Sequence, residues 1–190
     1  MTQDKQDLNI VDDLGHIIGV ASREQIHREG LLHREINVWF YSSKGEVVFQ
    51  HRSPSKDTFP DMLDATCGGH VDIGMDWLDT AVKELDEETG LRVLPKDLTF
   101  IRQIHFEAVD NSTSRRNNAL QNIYAYRYEG ALSELRVEDG MSVGFEAWKF
   151  SDLYDLTPEQ AKRFTFSALG NWYLDIFRQI ERLQLQEEIQ

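Results

Sequence analysis

The chain has 190 residues, 41% hydrophobic and 28% charged, which is enough apolar material for one globular core without cross-links. Its formal net charge of -13 opposes binding to nucleic acid or an anionic membrane surface, so neither is expected as a partner. A phosphate-bearing ligand would need local cations or a divalent metal. The one cysteine, Cys67, excludes an internal disulfide, and no apolar run approaches membrane-spanning length, which together set the cytoplasm as the expected compartment.

Residues 8–22 mix apolar and polar positions around Asp13-Leu14-Gly15 and predict two short strands joined by a turn. Ser22 then stands as an N-cap with Gln25 in the capping-box position, for a short helix that Gly30 stops. From His33 the pattern turns strand-like. Residues 36–43 and 46–53 flank Lys44-Gly45 and predict a hairpin. Residues 53–60 are loop by composition, and residues 62–71 read as one strand running into the glycine pair Gly68-Gly69.

A helix is predicted over residues 76–88, with Gly90 closing it and Trp77, Leu78, Ala81, Val82 and Leu85 on its buried face. Glu84, Glu87 and Glu88 lie at i, i+3 and i+4, within an arc of about 100°. Three carboxylates so close repel one another unless a cation sits among them, and hard divalent ions take such oxygen ligands. A solvated acidic face is the other reading of the same three residues. Beyond it, residues 98–109, 119–130 and 143–150 are strand candidates, with the polar loop 110–118 between the first two. Ser151 is a candidate cap for a short helix over residues 152–156, and a long helix is predicted over residues 167–185, with Leu169, Trp172, Tyr173, Ile176, Phe177, Ile180 and Leu183 as its apolar face and a frayed tail. The whole is expected to be one α/β domain: an N-terminal hairpin and helix (1–32), a core (33–150) and C-terminal helices (151–190).

Gly69, five residues, Met75, seven residues, then Lys83-Glu84-Leu85-Asp86-Glu87-Glu88-Thr89-Gly90-Leu91 resembles the Nudix box. The family pattern has a glutamate where Met75 stands and an arginine where Lys83 stands; Gly69, Glu84, Leu85, Glu87, Glu88, Gly90 and Leu91 match. The resemblance implies an α/β/α sandwich with a mixed sheet and a loop-helix-loop spanning residues 69–91. It also implies Glu84, Glu87 and Glu88 as ligands of Mg²⁺ or Mn²⁺, joined by the backbone carbonyl of Gly68. The activity it implies is hydrolysis of a diphosphate linked to another group, with Lys83 beside the catalytic glutamates. Lys83 keeps the charge of the family's arginine but lacks its planar fork. Asp72, Asp76 and Asp79 are the local acids that could replace the carboxylate missing at Met75.

The flanks, from His33-Arg34 through Gln50-His51-Arg52-Ser53, Lys56 and Pro60 to residues 64–70, resemble the isopentenyl-diphosphate isomerase-like branch, including its bacterial hydrolases. That implies Arg52 and Lys56 as diphosphate-binding residues, with His70 beside them. The isomerase itself uses a catalytic cysteine and a metal held by histidines and a glutamate pair. Here Cys67 falls one residue before the catalytic position, and Asn117 and Ala119 stand where the glutamate pair would be, although His27, His33 and His70 are similar to the histidines. Isomerase activity therefore ranks below hydrolysis, and a Nudix-fold binding or regulatory protein is the main alternative. The general base stays open among Glu107, Asp110, Glu138, Asp139 and Glu146, with Ser142 where a glutamate is often found. Trp39, Phe59, Tyr124 and Trp148 are read as core aromatics before base-stacking ones. The oligomeric state stays open.

Overall fold

The computed structural model describes residues 6–56, 59–110, 113–137, 140–165, 168–170 and 172–187. The chain begins with an antiparallel pair, β1 (Asp7–Val11) and β2 (Ile17–Ser22). Ser22 caps α1 (Arg23–Glu29) by accepting the Gln25 N–H at 3.2 Å, and Gly30 ends it in the left-handed conformation. The Gln25 side chain does not complete a capping box; it donates to Glu29 one turn on, at 3.3 Å.

The central strand is β3 (His33–Ser42). Along one edge lies β8 (Arg116–Arg127), parallel, from His33 opposite Ala119 to Tyr41 opposite Arg127. The other edge is shared in turn by β1 at His33, by β6 (Cys67–His70) at residues 35–38, and by β4 (Glu46–Arg52) at residues 40–42. Outside these, β7 (Thr99–Val109) pairs with β8, while β5 (Leu63–Asp64) and β9 (Ser142–Lys149) pair with β4.

Both faces of β3 are covered, so its alternating side chains enter two cores. Trp39 and Tyr41 pack with Phe49 and with Phe177 and Ile180 of α5 (Tyr173–Glu187). Ile36, Val38 and Phe40 pack with Ala81 and Leu85 of α2 (Trp77–Thr89). The result is the expected α/β arrangement, a mixed sheet between helical layers. Toward the start of β3 the face that carries Trp39 and Tyr41 bears His33, Glu35 and Asn37 instead. There the apolar core gives way to a polar cleft.

Several elements differ from the sequence reading. The run 62–71 is two short strands on different partners, because the Thr66 hydroxyl enters the ladder between them: it accepts the Phe40 N–H at 2.9 Å and donates to the Val48 carbonyl. Strand β8 begins at Arg116, inside the predicted loop. Its polar start is stabilised by Asn117, which donates to Glu35, and Asn118, which donates to the Gly30 carbonyl at 2.9 Å. Ser151 is not a cap; α3 (Phe150–Tyr154) is preceded by Lys149, and the Ser151 hydroxyl donates to Asp152. A short helix that was not predicted, α4 (Pro158–Ala161), has a full capping box between Thr157 and Gln160. Helix α5 starts at Tyr173, so Leu169 and Trp172 pack against the core from the segment before it; Ser167, the predicted start, lies outside the described residues. The tail to Glu187 is helical rather than frayed, because Glu187 accepts from the Tyr41 hydroxyl at 2.9 Å and from Arg127 at 3.1 Å.

Candidate active site and metal centre

Helix α2 presents the carboxylates. Its start is fixed by Asp76, whose side chain accepts the Asp79 N–H at 2.8 Å, and its end by Gly90 at φ 74. Ala81 and Leu85 anchor it in the core, and truncating a fully buried leucine such as Leu85 typically costs about 2–5 kcal/mol. Anchored so, the helix directs Glu84, Glu87, Glu88 and Lys83 into a cleft of about 610 Å³ that Gly68 and Gly69 also line. The Lys83 ammonium stands among the acids, 2.8 Å from Glu87, 3.2 Å from Glu84 and 3.6 Å from Asp72. Burial works against its charge, but Glu87 and Glu84 outweigh that and hold the Lys83 pKa above its ordinary value. Burial raises the Glu84 pKa, with Lys83 opposing. Glu88 is buried and accepts from the Gln50 amide at 2.9 Å.

The two glycines are needed by close approach. A Cβ on Gly69 would sit 2.6 Å from the Glu84 carboxyl carbon, and one on Gly68 would sit 2.4 Å from the Asn37 side-chain oxygen and 3.1 Å from the Ile36 carbonyl. Among the local acids, Asp72 lines the cleft, whereas Asp76 is spent on capping. Met75 packs against the α2-side core, so the carboxylate missing there is replaced by an apolar contact.

Arg52 and Lys56 line the same cleft. Arg52 is oriented by the Phe59 carbonyl at 3.1 Å and the Asp64 carboxylate at 3.2 Å, and Asp64 is in turn held by the Thr165 hydroxyl at 2.9 Å. Lys56 follows a turn closed by its own N–H on the Ser53 carbonyl at 3.1 Å. Arg23, Arg115 and Arg116 also face this cleft, so an acidic chain concentrates cations at the mouth of its carboxylate site.

His70 lies at the cleft wall in a cluster with His27 and His33, whose ligating atoms approach within 4.8 Å of one another. Glu35 joins them, 3.3 Å from both His33 and His70. Burial lowers the pKa of His27 and lowers that of His70 well below the ordinary histidine value. Burial acts to raise the Glu35 pKa, but the adjacent histidines outweigh it and keep this carboxyl below its usual range. Glu35 did not emerge from the sequence reading, although its place two residues after His33 on a strand puts both side chains on one face.

The match to known families is decisive for the relationship: residues 31–169 match the NUDIX domain. The chain belongs to the Nudix family. An uncharacterized Nudix hydrolase of Yersinia pestis is 36% identical over 88 residues, covering 46% of this chain and 48% of its own length. One from Clostridium acetobutylicum is 35% identical over 94 residues, covering 48% and 45%. The chain therefore spans about half the length of these curated relatives. Among solved structures, DR0079 from Deinococcus radiodurans shares the fold with a TM-score of 0.65 at 20% identity, over 91% of this chain and 98% of that one. The Nudix domain of Shewanella oneidensis NrtR, solved in complex with ADP ribose, has a TM-score of 0.55 at 14% identity, over 80% and 88%.

Within this Nudix fold the remaining candidates separate. Asp110 lines the cleft. Glu146 is bound to Arg163 at 2.7 Å and to the Trp148 indole at 2.8 Å, outside the cleft lining, and Glu107 is likewise outside it. Glu138 and Asp139 lie outside the described residues. Of the four aromatics considered, Phe59 lines the cleft, joined by Phe106, while Trp39 is in the core. Cys67 is 1% exposed and absent from the cleft lining; burial, then Glu88 and Glu84, push its thiol pKa well up. No helix among the described residues is long and apolar enough to cross a membrane.

Proposed function

We propose that the chain is a Mg²⁺- or Mn²⁺-dependent Nudix hydrolase that cleaves a small organic diphosphate. One observation carries the reading: the box residues Glu84, Glu87, Glu88, Lys83 and Gly68 share a single cleft with Arg52, Lys56 and His70. The residues suit a hard divalent ion. The donors are carboxylate oxygens with a backbone carbonyl, Glu84 is seated against Gly69 with no room for a side chain between, and a cationic group already stands among the acids. Glu84, Glu87, Glu88 and the Gly68 carbonyl would hold the ion. When bound it supplies charge neutralisation for the diphosphate and a water acidified toward neutral pH.

The protein's own residues do the rest. Arg52, fixed by Asp64, and Lys56 bind the diphosphate oxygens, and His70 borders that subsite. Asp110 accepts the proton of the attacking water as oxygen adds to phosphorus and the second phosphate leaves. Phe59 and Phe106 give the organic part of the substrate an apolar wall. With one thiol in the chain, the cytoplasm belongs to the same proposal.

A second reading, a binding or regulatory protein with little turnover, is favoured by Lys83, which bridges two of the ligating carboxylates. Incubation with a panel of nucleotide-linked and other organic diphosphates plus Mg²⁺ or Mn²⁺, followed by assay of phosphate-containing products, separates the two. Metal-dependent cleavage supports the hydrolase. Tight binding of a diphosphate without cleavage of any supports the binding protein. Isomerisation is not supported, because the buried Cys67 thiol does not reach the cleft.

A further inference from the structure

We propose that Asn37 is a further substrate-binding residue, whose side-chain Nδ2 donates a hydrogen bond to a nonbridging oxygen of the diphosphate beside the α2 carboxylates. This role rests on the hydrolase reading above and gives the cleft a neutral donor next to its cations. Asn37 lies on β3, where Gly68 of β6 is its partner across the ladder. Alternation along the strand sets it on the face of Glu35, and Trp39, two residues on, is already in the core. Asn37 therefore stands where the apolar core ends and the cleft begins, next to the backbone whose carbonyl would hold the ion.

Asn37 is only 9% exposed, and its side-chain amide has no hydrogen-bond partner among the described residues. Its neighbours behave otherwise. Of the amide side chains that line the cleft, Gln6 donates to Asp72, Gln50 to Glu88 at 2.9 Å, Asn117 to Glu35 at 3.1 Å and Gln121 to Glu35 at 3.0 Å. Each of these four gives an N–H to an acidic oxygen, and Asn37 gives none. Burying an amide without a partner costs stability, and a ligand that supplies the acceptor recovers that cost.

The placement of Asn37 decides what that ligand must offer. Its Oδ1 occupies the space that a Cβ on Gly68 would need, which leaves Nδ2 turned away from Gly68 with its N–H groups to donate. The matching group is an oxygen acceptor, and an anionic oxygen makes the stronger bond. A diphosphate held at the α2 carboxylates brings such oxygens alongside Gly68. A neutral amide can stand this close to a bound cation without repelling it, which a lysine or arginine could not. Arg52 and Lys56 therefore supply the charge for the diphosphate, and Asn37 supplies an uncharged contact at the metal end.

The test uses the full chain and methylene diphosphonate, a diphosphate analogue whose bridge is not hydrolysed, so that binding is read without turnover. In Mg²⁺, calorimetric titration should show the probe bound about 10–100-fold more weakly by Asn37→Leu than by the natural sequence. Mn²⁺ affinity without the probe should be unchanged, because Asn37 is not a ligand of the ion. Leucine keeps the branching of asparagine without its polar atoms, so the variant should unfold at the same urea concentration or a higher one. Equal probe affinity in the two proteins overturns this inference alone. No binding of the probe by the natural sequence overturns the diphosphate subsite and this inference together. Lower urea stability or weaker Mn²⁺ binding in Asn37→Leu would make the amide a support for Gly68, and also overturns it. In the natural sequence, the side-chain amide NMR pair that Asn37→Leu lacks should shift as the probe is added, and a pair that stays in place counts against the contact.

Discussion

The Glu84 carboxylate rests directly on Gly69, so closely that a Cβ there would lie 2.6 Å from its carboxyl carbon. Gly69→Ala must therefore displace a proposed metal ligand. Glu84 has a flexible side chain that can swing away, so the variant should fold with little loss of stability while losing most metal-dependent turnover. Gly68→Ala meets the Ile36 backbone as well as Asn37, and overpacking of this kind costs about 1–3 kcal/mol. Chemical denaturation paired with activity assay should show this opposite balance in the two variants.

Lys83 pairs with Glu84 and Glu87, so on the proposed function it would compete with the metal for them. Lys83→Met should lower metal-free stability modestly, by about 0.5–1 kcal/mol after allowing for the solvent that reaches a side chain 35% exposed. The thermal shift produced by saturating Mg²⁺ should then be larger than in the natural sequence. Equal shifts in the two proteins would show that the ammonium does not occupy the metal's place.

The raised Glu84 pKa has a definite sign for stability. A carboxyl whose folded pKa lies above its unfolded value of about 4.5 is tolerated best when protonated, so its contribution is intact below that value and is lost as pH rises through the folded pKa. Metal-free Glu84→Gln should accordingly be more stable than the natural sequence at pH 7 and no more stable at pH 4. Urea midpoints at the two pH values measure this.

Asp64 links Arg52 to Thr165 and so fixes a proposed diphosphate-binding residue from behind. Asp64→Asn should raise KM about tenfold with kcat little changed, because it loosens Arg52 without touching the reacting atoms. Arg52→Ala should raise KM further. Steady-state kinetics on a cleaved substrate give both numbers.

What the sequence made legible follows where local chemistry and fold agree. The caps at Ser22 and Gly90 and the 3.6-residue apolar spacing of α2 located the helices and the carboxylate face, whereas the Asp76 cap emerged only from the structure. Readings failed where a side chain did a backbone's task or a distant partner decided. The Thr66 hydroxyl split one predicted strand into two, Glu35 drew a polar segment into β8 through Asn117, and Tyr41 and Arg127 kept the end of α5 helical through Glu187. The Thr157-Pro158-Glu159-Gln160 capping box that starts α4 is a local signal present in the sequence. Glu35 as a partner of the histidines was hidden differently, since strand periodicity places it beside His33 but only the fold brings His27 and His70 to it.

The central claim, that α2 carries a metal-dependent hydrolytic site, is tested most directly by Glu87→Gln. The side chain is half exposed and its nearest partner is Lys83, so the substitution leaves the fold intact. With a diphosphate that the natural sequence cleaves, the Mg²⁺- or Mn²⁺-dependent rate should fall by about a hundredfold or more, the scale of losing a charge-stabilising group. An unchanged rate would contradict the account.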